Sequence, residues 1–311
     1  MTEFIIGKFI RMFVALLVIV TLTFIVLRTS GDPAQTFLPP DASPKTVEDF
    51  REKWGLDRPL PDQYLAYLKN VMGGDLGHSF VDGRPASQVV GERIPKTLLL
   101  LGTSFFLMLA MGFPLGIISA LKHNTWVDRL VMSIAVFGYS LPNFFLGILL
   151  ILFFSMYLRW LPSTGSGTWQ HLIMPVVTIG TAGAAVIARF VRSAMLEVIS
   201  KPYVRSAKAR GLSRFTVVVR HALPNAAIPT VTVIGFLLGS LIAGAVVTEA
   251  VFAWPGIGRL TVTAVASRDL AVVQTIVLLI AVTMVCVNLI VDLLYGWLDP
   301  RIRDGLQKGR N

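Results

Sequence analysis

The residues able to do chemistry are few and lie far apart. Ser140, in Gly138-Tyr139-Ser140, stands nearest to a nucleophile elbow, yet the second glycine of that motif is missing and Leu141-Pro142 follows. A proline so placed kinks a helix, which is the plainer use of the site. The four histidines include no His-Glu-x-x-His pair, the spacing that sets two metal ligands on one helical face. His78 and His123 fall in loops, and His171 and His221 at the ends of apolar runs, too scattered to hold a metal. The single cysteine, Cys286, sits in an apolar run, which excludes a disulfide framework and a cysteine metal site. A phosphate-binding loop needs Gly-Lys followed by Ser or Thr. Gly7-Lys8-Phe9 fails that test and no other Gly-Lys-Ser/Thr occurs. The residues therefore form no catalytic or metal constellation, and the chain is expected to bind no cofactor.

The densest pattern runs from Tyr203 to Pro224. Pro202–Arg210 is long enough for about two helical turns, with Val204, Ala207 and Lys208 on one face. Gly211 suits the left-handed position that ends a helix. Arg214–His221 can start a second helix, and Pro224 marks its junction with the next apolar run. A short basic helix–Gly–helix hairpin can dock as a knob into a partner. Composition alone fits a solvated basic loop equally well.

The elements that must position this hairpin are apolar. Of 311 residues, 54% are hydrophobic and 15% charged, against roughly 25% charged in a soluble domain. Mean hydropathy is +0.69. A bilayer core takes about 20 apolar residues in helical form. Six stretches without a charged residue fit that need: Met12–Leu27, Thr97–Leu121, Leu130–Leu158, Trp160–Ala188, Ala222–Thr248 and Leu270–Val291. The fourth opens with Pro162, Ser163, Gly165 and Gly167, so its helix is expected to start near His171. Buried helices of a large soluble protein would not repeat such runs six times. A signal peptide would need a small-x-small site, which Leu27-Arg28-Thr29 does not offer, so the first run is expected to stay as an anchor.

The net charge of +10 discriminates between nucleic acid and membrane as its cause. With the N-terminus inside, the inner segments hold sixteen Lys and Arg against six acids, and the outer ones twelve against twelve. The whole excess lies on one side, as the positive-inside rule requires, and nucleic acid is excluded as a partner. The expected order is a cytoplasmic N-terminus and first span over 1–28, then an extracytoplasmic segment over 29–96. A core over 97–311 follows, with spans at 97–121, 130–158, 171–188, 223–248 and 270–291. The inside loop covers 195–222, and both termini are cytoplasmic. Within 29–96, Thr46–Trp54 and Pro61–Val71 carry helix-compatible spacing, so this segment is expected to be folded. It is either a cap that touches a partner or gates the outer mouth, or a tethered domain that stabilises the assembly.

Charges inside spans mark proton- or ion-driven carriers, and these six stretches contain none. An ion-gradient carrier or channel is thus an alternative without support, and a membrane enzyme would have only Ser140. The recurrent intramembrane feature is small residues. Gly112 and Gly116, and again Gly235 and Gly239, stand four apart on one helical face, which lets helix backbones approach. They serve either packing within this chain or a seam or pathway wall.

The hairpin resembles the EAA loop of ATP-binding-cassette (ABC) importer permeases, E-A-A-x3-G-x9-I-x-L-P. Ala207, Gly211, Leu223 and Pro224 match at the required offsets, while Arg205, Ser206 and His221 replace Glu, Ala and Ile. The form Tyr203-Val204-Arg205 is similar to the peptide and nickel branch, in which Arg at that position is usual. Further patches resemble the first permease of that branch: Gly31-Asp32-Pro33, Tyr64, Gly74-Asp75-Leu76-Gly77, Arg93–Thr97, Ser140–Asn143, Leu161-Pro162, Glu249–Gly258 and Asp299-Pro300-Arg301. The resemblance implies an all-α integral membrane protein with six transmembrane helices of the type I importer kind. It implies a bacterial or archaeal cytoplasmic membrane. It also implies a second homologous permease, two ATPase subunits or one homodimer of them, and an extracytoplasmic solute-binding protein. The implied solute is a peptide or a related small molecule, and ATP hydrolysis belongs to the ATPase partners. The coupling role to the ATPase falls, by resemblance, on Tyr203, Arg205, Ala207, Gly211, Leu223 and Pro224.

Overall fold

Proline and serine open most helices of this chain, and a 100° bend interrupts one of its longest apolar stretches. In the computed structural model, residues 2–29, 34, 38–39 and 41–298 are described. The patches Gly31-Asp32-Pro33 and Asp299-Pro300-Arg301 lie outside them, as does the basic C-terminal end. Thirteen helical elements follow in chain order among the described residues: α1 (Thr2–Thr29), α2 (Pro44–Lys53), α3 (Leu60–Met72), α4 (Ala86–Gly91), α5 (Ile94–Leu121), α6 (Trp126–Ser140), α7 (Asn143–Leu150), α8 (Gln170–Ile199), α9 (Pro202–Ala209), α10 (Arg214–Thr216), α11 (Leu223–Val251), α12 (Ile257–Ala266) and α13 (Leu270–Leu298). Helix α7 widens into a π-helix over Ile151–Tyr157, and α10 leads into another over Val217–Ala222. No strand occurs among the described residues.

The chain divides into two units, Met1–Thr97 with Pro255–Val285, and Leu98–Trp254 with Cys286–Asn311. In the first, the Ser43 hydroxyl caps α2 by accepting from the Thr46 amide at 3.1 Å, and Pro59 and Pro61 frame the start of α3. Phe24 of α1 is 3% exposed and packs on Tyr64 and Tyr67 of α3, with ring centres 5.3 and 5.8 Å apart. Ala86, Val89 and Val90 bury against Ala264, Val272, Val273 and Ile276. Buried Asp269 accepts hydrogen bonds from the Ser79 hydroxyl and, at 3.2 Å, from the Phe80 amide, which holds the turn before α4.

The second unit is built on α8. Its residues Ile179, Ile187, Val191 and Met195 are buried, with Leu100 and Met108 of α5 and Leu241 of α11 in the same core. The close approach of α5 rests on glycine. A Cβ at Gly112 would lie 2.7 Å from Ile187 Cβ, and one at Gly116 only 2.6 Å from the Ala188 carbonyl oxygen. Helix α8 reciprocates with Gly183, where a Cβ would lie 2.4 Å from Met108 Sδ. Such small-residue contacts substitute for the hydrophobic drive that helices in lipid lack.

Among the described residues, four helices are long and apolar enough to cross a membrane: Ile10–Thr29, Ala86–Leu121, Gln170–Ile199 and Leu270–Val291. Two bent pairs, Trp126–Ser140 with Asn143–Tyr157 and Arg214–Ala227 with Pro229–Ile242, bring the number to six if each pair is one span. The stretch 130–158, read from hydropathy as a single span, is thus broken. Pro142 disfavours helical geometry in Leu141, which is extended at φ −80° and ψ 126°. Ser140 donates to the Val136 carbonyl at 2.8 Å at this break. Helix α8 also runs eleven residues beyond Ala188, through Arg189, Arg192 and Glu197, so the loop expected from 195 begins only after Ile199.

Candidate functional site

The hairpin between α8 and α11 is assembled from short-range signals. Lys201 is extended, and Pro202 opens α9 with its fixed φ and missing amide proton. Val204 and Ala207, three apart on one face, are both 0% exposed and join Val191, Met195, Val198, Val217 and Ala222 in the core. Lys208, placed on that face by spacing, is exposed instead. The buried stripe is only two residues wide, and a lysine head stays in water.

Gly211 has φ +79°, and its amide donates to the Lys208 carbonyl at 3.0 Å. A Cβ there would meet nothing within 4 Å, so glycine is needed for its backbone conformation and not for space. Ser213 then caps the next helix, its hydroxyl accepting from the Thr216 amide at 3.1 Å. Pro224 offers no amide proton and would crowd the Arg220 carbonyl in a regular helix; the backbone is wide over Val217–Ala222 just before it. Asn225 Nδ2 takes up the His221 carbonyl at 2.9 Å. Leu223 is half-buried and Pro224 exposed.

The outward face of the hairpin is aromatic and basic. Tyr203, Arg205, Ser206, Lys208, Arg210 and Phe215 are all exposed, Phe215 to 76%. Such a surface, on a base fixed by buried Val204 and Ala207, can receive a partner and pass on its displacement.

Two ties fasten the hairpin's surroundings. Arg214 donates from Nη2 to the Leu121 carbonyl at 3.1 Å, joining the hairpin to the end of α5. Beside it, Asp128 is 3% exposed and grips Arg192 of α8 in a bidentate pair, with Nε at 2.7 Å and Nη2 at 2.8 Å. The same carboxylate accepts from the Ser119 hydroxyl and, at 3.0 Å, from the Asn124 amide. Sequence reasoning counted Asp128 and Arg192 only as loop charges. The available signal was an acid in the first turn of α6, where a helix N-terminus favours it.

Of the paired glycines, Gly112 and Gly116 meet α8, and a Cβ at Gly235 would lie 2.5 Å from Val291 of α13, so three of the four are closed by this chain's own side chains. Gly239 is half-buried one turn beyond Gly235. A cavity of about 180 Å³ opens at the α6–α7 break, walled by Met108, Tyr139, Asn143, Gly183, Ser240 and Gly244. The histidines are not brought together. His171 pairs with Thr168 at 2.8 Å, and among the described residues no three His, Cys, Asp or Glu are grouped to hold a metal.

Residues 112–304 match the family described as "binding-protein-dependent transport system inner membrane component", and residues 1–101 match its N-terminal companion. The chain belongs to this family. The permease is 42% identical over 304 residues to the glutathione transport system permease protein GsiC of Escherichia coli O6:H1 (strain CFT073), covering 97% of this chain and 99% of that one. Identity and coverage are the same for GsiC of Escherichia coli strain K12. For GsiC of Salmonella paratyphi A, identity is 41% over the same shares of the two chains. Among solved structures, the inward-facing MetNI methionine ABC transporter aligns with a TM-score of 0.59 at 21% identity, over 68% of this chain and 97% of that one. An amino acid ABC transporter aligns at 0.51 and 15% identity, over 68% and 94%. The permease is an all-helical, multi-pass membrane subunit of an ABC importer, a transport component and not an enzyme.

Proposed function

We propose that the permease conducts a short peptide, glutathione among the candidates, and that the hairpin around Gly211 is where ATP-driven motion enters it. Its assembly contains a second homologous permease, two ATPase subunits and an extracytoplasmic solute-binding protein. Six spans cross the membrane, each bent pair counting as one, with both termini and the hairpin on the cytoplasmic side and the segment 29–96 outside. The charge asymmetry supports this orientation. The name of the GsiC relatives supports the substrate class.

The observation that carries the coupling role is the hairpin itself: a short helix locked by Val204 and Ala207, turned by Gly211 at φ +79°, with a basic and aromatic face left uncovered. Tyr203 and Arg205 contact the ATPase, Ala207 and Gly211 hold the knob's shape, and Leu223 and Pro224 join it to α11. Displacement of the knob passes through Arg214 to α5, and α6 and α8 move together through Asp128 and Arg192. The permease supplies the path, the ATPase supplies the free energy, and neither works alone.

Gly211→Pro tests this. Proline fixes φ near −65° and removes the amide that bonds Lys208, so it is incompatible with the observed turn. The expected result is a permease that inserts normally but loses its ATPase subunits on purification. Gly211→Ala, strained by about 1 kcal/mol in the left-handed region, should retain a fraction of them. Unchanged association and unchanged transport-linked ATP turnover in Gly211→Pro would refute the coupling role.

A further inference from the structure

We propose that the cavity at the α6–α7 break is a station for the travelling solute, at which Arg189 takes the solute's carboxylate and Asn143 its neighbouring amide. The proposal rests on the importer reading above and adds the residues that meet the cargo.

Three observations point there. The first is unspent hydrogen-bonding capacity. Ser240 uses its hydroxyl on the Leu237 carbonyl at 2.9 Å, whereas the Tyr139 hydroxyl and the Asn143 amide have no hydrogen-bond partner among the described residues. An amide placed in an apolar slab is costly unless another molecule completes it. Asn143 carries both a donor and an acceptor, the complement of a peptide group.

The second is an arginine without a counter-ion. Arg189 follows the cavity residue Val186 by three positions and so shares its face of α8. Its guanidinium carbon lies 5.4 Å from the centre of the Tyr139 ring and 5.9 Å from that of Phe190. No carboxylate pairs with it among the described residues, while Arg192, three positions later, is held by Asp128. Stacking on an aromatic face leaves the planar N–H edge free, and that edge fits a carboxylate in bidentate fashion.

The third is size. About 180 Å³ is below the roughly 300 Å³ at which pockets for whole drug-sized ligands begin. The space fits one end of a peptide, not its full length. Tyr139 and Asn143 stand on either side of the 100° α6–α7 bend at Leu141-Pro142, and both line the cavity.

The test uses the complete importer in proteoliposomes with glutathione, a tripeptide with free carboxylates, as the probe. Uptake is measured per ATP hydrolysed, beside the stimulation of hydrolysis by loaded binding protein. Arg189→Gln should lower uptake per ATP about tenfold, the loss of one charge-assisted contact, and leave the stimulation unchanged. Arg189→Lys, which keeps the charge but neither the planar fork nor the stacking, should recover part of it. Full uptake per ATP in Arg189→Gln, a lysine variant as poor as the glutamine one, or a parallel fall in stimulated hydrolysis would each overturn the carboxylate station while leaving the importer reading in place. Absence of glutathione uptake by the unsubstituted assembly would overturn the substrate assignment, and the station with it.

Discussion

Asp128→Ala is expected to destabilise the assembled permease by about 3 kcal/mol, the cost of breaking a buried ion pair from one side. Three kinds of group lose their acceptor at once: the Arg192 guanidinium, the Ser119 hydroxyl and the Asn124 amide. Arg192 keeps 24% of its side chain exposed, so water recovers part of its solvation and holds the cost at the lower end of the range for buried pairs. The loss should appear as a drop of several degrees in the apparent melting midpoint of the complex. Asp128→Asn keeps one acceptor oxygen, enough for the Ser119 hydroxyl or the Asn124 amide but not both, and should fall between the unsubstituted permease and Asp128→Ala. An unshifted midpoint in Asp128→Ala would mean that α6 and α8 are held together elsewhere.

Gly116→Ala should cost about 2–3 kcal/mol, more than most exchanges of one hydrogen for a methyl group, because the obstacle is backbone. The added carbon would lie 2.6 Å from the Ala188 carbonyl oxygen and 2.7 Å from Val191 Cβ. A side chain can rotate aside, but a carbonyl inside α8 moves only if the helix moves. Gly102→Ala on the same helix is the control, since nothing lies within 4 Å of its Cβ position. It should leave the melting midpoint and the yield of assembled complex unchanged. Equal behaviour of the two variants would show that α5 and α8 do not touch at Gly116 in the membrane.

The parts legible in the sequence were those governed by neighbours along the chain. Pro202 and Gly211 each act within a few residues, and α9 and the left-handed turn stand where those residues place them. Helices α2 and α3 were readable for the same reason, from the apolar spacing of Thr46–Trp54 and of Pro61–Val71, the latter framed by Pro59 and Pro61. Apolar length alone located the long helices but not their geometry. Hydropathy is blind to direction, so 130–158 read as a rod although Leu141 turns it through 100°. Charge likewise ended the fourth apolar stretch at Ala188, while α8 continues to Ile199 with Val191, Met195 and Val198 buried in the core and Arg192 paired with Asp128.

That pairing was out of reach because its partners stand 64 positions apart and nothing local links them. The glycine pairs were visible as faces but not as contacts: spacing shows that a helix can be approached at Gly112 and Gly116, and only the fold shows that α8 does so. The π-helical turn before Pro224 was also hidden, since the sequence marks the proline and not how the backbone accommodates it.

The most direct test of the account is a cross-link at the knob. Cys286 is the sole cysteine, and with Cys286→Ser in place a new thiol reports from one position only. Ser206→Cys lies on the exposed face of α9, and Ser87→Cys lies exposed on α4 in the segment assigned to the outside. In the complete importer, a short reagent with a maleimide at one end and a photoreactive group at the other should join Ser206→Cys to the ATPase subunit, with a yield that changes when ATP is bound, and should leave Ser87→Cys unlinked to it. A Ser206→Cys permease that never joins the ATPase, or a Ser87→Cys permease that does, would contradict the hairpin as the point where force enters.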